Sequence, residues 1–253
     1  MGGALAEGLL KHTALSAGDI TVADPNIEVL HRFEALGASV TSENDAAVVD
    51  ADLIFVVVKP WLVQPVVTNL KASIDYQKTT IVVIAAGVSS ADILSWMRKH
   101  DGSSPTLFLA IPNIAIAVGQ SMTFLVSVNG QPSKQEELQA LFDKMGSTLI
   151  VDEDHLAAGT SIASCGIAYA MRYMRAATEG SVELGFRASD ALKIVRQTVS
   201  GAVTLLAANG SHPEEEIDKV TTPGGVTIRG LNAMEREGFT NAVIQGLKAG
   251  TGK

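Results

Sequence analysis

Cysteine is nearly absent from this chain: Cys165 is the only one in 253 residues, so no internal disulfide can form and a reducing compartment, the cytoplasm, is the simplest setting. Histidines His12, His31, His100, His155 and His212 show no ligand spacing, and no structural or catalytic metal is expected. The longest apolar runs, Leu53 to Val58 and Ile81 to Ala86, fall far short of the roughly 20 residues a membrane helix needs and read as buried strands. A signal-peptide pattern is missing too. No Lys/Arg cluster is visible, and 19 basic against 27 acidic residues give a formal charge of −8, which weighs against nucleic acid as a partner. What is present is apolar. A hydrophobic content of 47% and a mean hydropathy of +0.25 imply a well-buried core, in a chain long enough for two modest domains.

From Ile20 to about Val151, short β-branched runs alternate with helical stretches. The expected strands are Ile20 to Val22, Asp52 to Val58, Thr80 to Ile84, Thr106 to Ile111 and Thr148 to Val151, and the helices between them include Ile27 to Leu36, Ser90 to Lys99 and Ser133 to Met145. Such alternation means crossover units on a largely parallel, doubly wound α/β sheet buried on both faces. After Asp152 the strand-like runs stop and apolar residues recur at helical intervals, as in Leu192, Val195, Val199 and Leu206, so the second domain is expected to be all-α. The expected division is 1–151 and 152–253. Met171 and Met174, with Tyr169 and Tyr173, form a stripe suited to core or subunit packing, or to lining a ligand.

The most telling stretch is Lys219 to Leu231, which combines the hydroxyls of Thr221, Thr222 and Thr227 with Gly224, Gly225 and the start of a helix. Pro223 suits a first helical position, glycines let a ligand approach the main chain, and free amides at the positive end of a helix favour a small carboxylate. The local chemistry leaves a capped loop between two helices equally open.

TTPGGVTIRGLNAMEREGF, at 221 to 239, resembles the signature of the pyrroline-5-carboxylate reductase family, (S/T)SPGG(T/A)TIxGLxxLExxGF, and VVVKPW at 56 to 61, AAGVSS at 85 to 90, IPNIAIAVGQSMT at 111 to 123 and QTVSGA at 197 to 202 extend the likeness over almost the whole chain. The resemblance implies a Rossmann-type sheet followed by an all-α dimerisation domain, a homodimer that can assemble into larger rings, and reduction of 1-pyrroline-5-carboxylate to L-proline with NADPH or NADH. Gly2, in Met1 to Leu9, matches the last glycine of the family's GAGNMGxAL segment, which leaves the first strand and the first two glycines of the fingerprint absent. Cofactor contacts are implied for Gly2, Asp24, Asn44, Lys59, Pro60, Ala85, Ala86, Gly87 and Asn113. Asp24 stands where an acid bonds the adenosine ribose, which favours NAD by charge, while no arginine stands at positions 24 to 27 for a 2′-phosphate, and the choice between dinucleotides stays open. Asn44 either lies near the adenosine or caps a helix, Lys59 and Pro60 follow a strand at the ligand edge, and the small Ala85, Ala86 and Gly87 leave room for a flat nicotinamide or for tight packing. Asn113 bonds the substrate or fixes its loop.

For the chemistry, the likeness implies that Thr222 and the amides of Gly224 and Gly225 hold the substrate carboxylate. Thr227 then bonds the ring nitrogen, orienting it, because a threonine hydroxyl is a poor acid. Two departures stand out: Ala163 to Tyr169 reads ASCGIAY where the family reads SGSGPAY, losing a proline so that the helix is expected to run straighter, and Val226 stands where the family commonly has threonine or alanine, a mild change. The rival readings are a non-catalytic homodimeric relic, and a hydroxyacid-type dehydrogenase whose catalytic lysine would have to be Lys193.

Overall fold

A computed structural model describes residues 1–251. It divides into two compact units, Met1–Ser164 and Cys165–Lys253. The expected boundary after Val151 and this one differ by the segment 152–164, which stays with unit 1 because Glu153 accepts from Ser90, and Ser164 Oγ donates to the Pro112 carbonyl.

Unit 1 opens with helix α1 (Gly2–His12), followed by strand β1 (Thr21–Ala23), α2 (Ile27–Glu34), β2 (Ser39–Thr41), the short α3 (Asn44–Ala47), β3 (Leu53–Val56), α4 (Pro60–Leu70), β4 (Thr80–Val83) and α5 (Ser90–Met97). Then come β5 (Thr106–Ile111), β6 (Ser121–Ser127), α6 (Pro132–Asp143), β7 (Gly146–Ile150) and α7 (Leu156–Gly159). Strands β3 to β7 make one sheet in chain order, with β3, β4 and β5 parallel and β6 antiparallel to β5. The side-chain period of two sorts the central strands between two layers. Ile81 and Val83 of β4, with Leu107 and Leu109 of β5, pack under α4 and α5 on Val63, Val67, Ile93 and Met97. Val82, Ile84, Phe108 and Ala110 pack on the other face against Leu5, Leu9, Phe142 and Met145. All four residues of β4 are buried, as expected for a strand covered on both sides.

The sheet is split. β1 and β2 pair in parallel as a separate ribbon, and among the described residues β1 has no strand partner but β2, nor β3 any but β4. Helix α1 spans both pieces, with Gly2 against Val57 beyond the end of β3 and Gly3 against Phe33 of α2. Leu53 and Phe55 are only half-buried while β4 is fully covered, so β3 behaves as an edge. A Rossmann-like α/β arrangement with its sheet split between β1 and β3 is therefore what the described residues hold.

Two strands were not foreseen. Ser39–Thr41 is three residues long with one apolar side chain, and Ser121–Ser127 returns without a crossover helix, through a 3₁₀ turn at Ile114–Val118. β7 begins on Gly146, whose φ is +149° and whose Cβ, if present, would lie 2.0 Å from the Ser121 carbonyl oxygen. Only glycine lets β7 approach β6 there.

Unit 2 is wholly helical: α8 (Gly166–Glu183), α9 (Ala188–Asn209), α10 (Pro213–Lys219), α11 (Val226–Arg236) and α12 (Phe239–Ala249). Of these, only α9 holds fully buried side chains, Ala191 and Val195. The α9 to α10 joint is tied by Glu216, which accepts from Lys219, Ser211 and Asn209. The Lys219 ammonium, then the Ser211 and Asn209 donors, hold its carboxyl down at about 2. A depressed folded-state pKa adds stability that is complete above the ordinary value of 4.5 and fades as pH falls toward about 2. Glu216→Gln should therefore flatten the acid sensitivity: the drop in urea midpoint between about pH 5 and about pH 2.5 will be smaller in the variant than in the wild type.

Candidate active site

The carboxyl edge of the sheet in unit 1 carries a cleft of about 210 Å³ lined by Met1, Ala86, Pro112, Asn113, Thr160 and Ser164, with Ile84, Ile111 and Ile114 as its apolar floor. Pockets for drug-sized ligands run roughly 300 Å³ and upward, so the cleft suits a single ring, and its lining holds no ionisable side chain. Ala86 reaches it because Ala85, Ala86 and Gly87 follow β4 after only Ile84, with Gly87 at φ +78° and open space where a Cβ would stand.

Asn113 is 6% exposed and committed to its loop. Its Oδ1 accepts from the Ala115 amide at 3.0 Å and its Nδ2 donates to the Ala163 carbonyl at 3.4 Å, while its own amide donates to Ser121 Oγ. Of the two sequence readings, fixing the loop is the one these bonds favour, although the residue also lines the cleft.

The other implied cofactor positions stand apart from the cleft. Gly2 is the first residue of α1, which has no acidic residue in its first turn and whose leading amides lack helical acceptors. Asp24 follows β1, with its Oδ1 accepting from the Asn26 amide at 2.8 Å. Asn44 is the first residue of α3, whose cap is Glu43; the expectation that Asn44 caps this helix is corrected. Lys59 is exposed and caps α4, and Pro60 takes the first helical position, where its missing N–H costs nothing. Asp24, Asn44 and the Lys59–Pro60 pair each follow the carboxyl end of a strand, β1, β2 and β3 respectively. Amides at the start of α1 and a wall of small residues after β4 fit a dinucleotide's diphosphate and nicotinamide.

In unit 2 the segment before α11 departs from expectation. Pro223 is not a first helical residue: α11 begins at Val226 with Gly225 as its cap. Thr222, Pro223, Gly224 and Gly225 instead form a tight turn closed by the Gly225 amide on the Thr222 carbonyl at 2.9 Å, with Gly224 at φ +69°. Proline then glycine at the two central positions is the type II pattern, which needs a positive φ at the second. A Cβ on Gly225 would lie 2.5 Å from Thr222 Oγ1, so the glycine lets that hydroxyl fold over the turn. The Gly225 amide is thus already engaged, which corrects its expected role as a carboxylate donor. The leading amides of α11, on Val226, Thr227 and Ile228, point out of the helix start instead. Thr221 Oγ1 is spent on the Ile217 carbonyl, whereas the hydroxyls of Thr222 and Thr227 have no hydrogen-bond partner among the described residues. Arg229 Nε donates to the Gly225 carbonyl and brings a cation to the same end.

Two cleft residues, Thr160 and Ser164, and the nearby Glu153 had no role assigned from the sequence. Thr160 and Ser164 sit four apart on a π-helical turn, Thr160–Cys165, that leads straight into α8. The straighter path expected from the lost proline is therefore interrupted by this bulge, a feature that gathers at functional sites. Ser164 lay within the quoted ASCGIAY segment; Thr160 and Glu153 had no local signal. Lys193, which a hydroxyacid-type mechanism would need, is exposed on α9 with no bonded partner among the described residues.

Residues 153–253 match the family described as pyrroline-5-carboxylate reductase dimerisation, and residues 1–87 the one described as NADP oxidoreductase, coenzyme F420-dependent. The chain is 34% identical to pyrroline-5-carboxylate reductase 1 of Dictyostelium discoideum, covering 100% of this chain and 47% of that protein. With pyrroline-5-carboxylate reductase 2 of the same organism it shares 30% identity over 98% of this chain and 86% of the relative. The chain thus spans about half of the first relative and most of the second. Among solved structures, pyrroline carboxylate reductase of Plasmodium falciparum with NADP bound has a TM-score of 0.86 at 21% identity, over 98% of this chain and 90% of that one, a likeness of fold.

Proposed function

This chain belongs to the pyrroline-5-carboxylate reductase family, and on that premise we propose how its residues divide the reduction of 1-pyrroline-5-carboxylate to L-proline, the closing step of proline synthesis. It is an NAD(P)H-dependent oxidoreductase. The reaction adds a hydride to the imine carbon and leaves a proton on the ring nitrogen. A nicotinamide dinucleotide, when bound, supplies the hydride.

Unit 1 holds that dinucleotide. The start of α1 at Gly2 takes the diphosphate, and Lys59 and Pro60 border the same edge. Ala85, Ala86 and Gly87 give the ring a flat wall, and Asn113 holds the opposite wall in place. Asp24, with Asn44 nearby in sequence order after β2, faces the adenosine end. An acid there favours the unphosphorylated dinucleotide, whereas the matched family description names NADP. Either carrier serves the chemistry.

Unit 2 grips the acid. Thr222 Oγ1, the Gly224 amide and the leading amides of α11 receive the substrate carboxylate at the positive end of that helix. Thr227 orients the ring nitrogen, and the iminium arrives protonated. The observation that carries this reading is the pair of unspent hydroxyls, Thr222 and Thr227, flanking a turn with Gly224 at φ +69°. The test is steady-state kinetics of two variants. Thr227→Ala should lower turnover by more than about threefold, beyond roughly 0.7 kcal/mol of barrier. Thr222→Val should chiefly raise the Michaelis constant for the imino acid; an unchanged constant removes the grip.

The active form is a homodimer, cytoplasmic, joined through unit 2, where Met171, Leu184, Leu192 and Val203 are more than half exposed. Apolar surface on this scale belongs under a partner.

A further inference from the structure

Glu153 stands at the joint between the two walls of the cleft, and nothing in the reductase reading uses it. Its Oε1 accepts from the Ser90 amide at 2.8 Å, and its Oε2 accepts from Ser90 Oγ, in a part-buried contact bridging 63 residues of chain. Ser90 is the first residue of α5 and closes the loop that carries Ala86. From Glu153 the chain runs through α7 into the π-helical turn that carries Thr160 and Ser164 to the facing wall. One carboxylate therefore ties both walls together.

Helix stability alone does not account for the contact. α5 already has its own cap, because Ser89 Oγ accepts from the Asp92 amide at 3.1 Å and donates to Asp92 Oδ2. A second carboxylate at that helix end adds a two-pronged, charge-assisted bond to the donors of a single residue, a geometry that fixes position as well as energy. Val88 and Leu156, next to the two ends of the tie, pack on the same apolar cluster, so the bond is backed by contact on its inner side. The loop it restrains contains Gly87 at φ +78° with open space beside it, and would otherwise be free to swing.

We infer that Glu153 is a positioning residue for the dinucleotide: by holding Ser90 it sets the distance between the Ala85–Gly87 wall and the Thr160–Ser164 wall, and so preforms the slot for the nicotinamide ring. The inference rests on the proposed assignment of this cleft to the dinucleotide. It separates two effects that a general loosening of the fold would merge, because the acid grip lies in another unit of the chain. Losing the tie weakens dinucleotide binding and leaves the imino acid's Michaelis constant alone.

The test titrates the full chain with NADPH and with NADH, following nicotinamide fluorescence, for the wild type, Glu153→Ala, Glu153→Gln and Ser90→Ala. A lost hydrogen bond to a charged group predicts that Glu153→Ala raises the dissociation constant about tenfold, Ser90→Ala about threefold and Glu153→Gln, which keeps an acceptor for the Ser90 amide, no more than about threefold. At saturating dinucleotide the Michaelis constant for pyrroline-5-carboxylate should stay within about twofold in all three. Hydrogen exchange of the peptide spanning 85 to 90 should quicken in Glu153→Ala and recover in Glu153→Gln. Should Glu153→Ala not fold, the Ser90→Ala and Glu153→Gln titrations and their exchange decide alone. A wild type that binds dinucleotide while all variants bind it equally well overturns the positioning role and leaves the cleft's assignment standing. A wild type that gives no fluorescence change with either dinucleotide overturns the assignment and the positioning role together. A matching rise in both constants overturns it as well, by showing a merely structural part.

Discussion

Gly225→Ala is expected to lower kcat/KM for pyrroline-5-carboxylate by about thirtyfold or more, roughly 2 kcal/mol of transition-state stabilisation, while the far-ultraviolet circular dichroism stays that of the wild type. The added Cβ would stand 2.5 Å from Thr222 Oγ1 and 3.0 Å from the Thr222 carbonyl oxygen. Neither can yield cheaply. The carbonyl closes the turn by accepting from the Gly225 amide, so pushing it away opens the turn, and rotating the hydroxyl away removes the ligand group. Both routes spoil the acid grip, and neither touches a buried side chain, since Thr222, Pro223 and Gly224 are exposed. A variant whose kcat/KM stays within about threefold of the wild type would show that the turn does not hold the substrate.

Gly146→Ala should act in the opposite way, on stability first. Its φ of +149° is a region that side chains rarely adopt, and its Cβ would meet the oxygen, nitrogen and carbon of Ser121 at 2.0, 2.4 and 2.7 Å. Those are backbone atoms of the strand to which β7 pairs in register at this very residue. Strain of about 1–3 kcal/mol for the conformation and a similar amount for the overlap together put the expected loss at about 3–5 kcal/mol. The chemical-denaturation midpoint measures it. A loss under about 1 kcal/mol would mean that β7 can slide off β6 without harm to the core.

How much of this was readable beforehand differs by distance along the chain. The apolar run from Ile81 to Ile84 announces a strand buried on both faces, and Ser90 to Lys99 announces a helix; both are local patterns and both hold. The helical second unit is equally legible from periodicity. β2 escaped because Ser39, Val40 and Thr41 offer a single apolar side chain, and β6 because Ser121 to Ser127 follows β5 without a crossover helix to frame it. At the site, the Thr-Pro-Gly-Gly text signals a turn as strongly as a helix start, and only the positive φ of Gly224 decides between them. Glu153 and Ser90 lie 63 positions apart, and nothing local in either marks the other, since such a pairing is created by the sheet's topology.

The separate β1–β2 ribbon carries a consequence for local opening. The corner formed by α1, α2 and the ribbon rests chiefly on Ala6, Phe33 and Ala38, a small patch beside the two large layers. Within unit 1 it has the least to lose by opening, so amides of the ribbon should exchange with solvent well before those of the central strands.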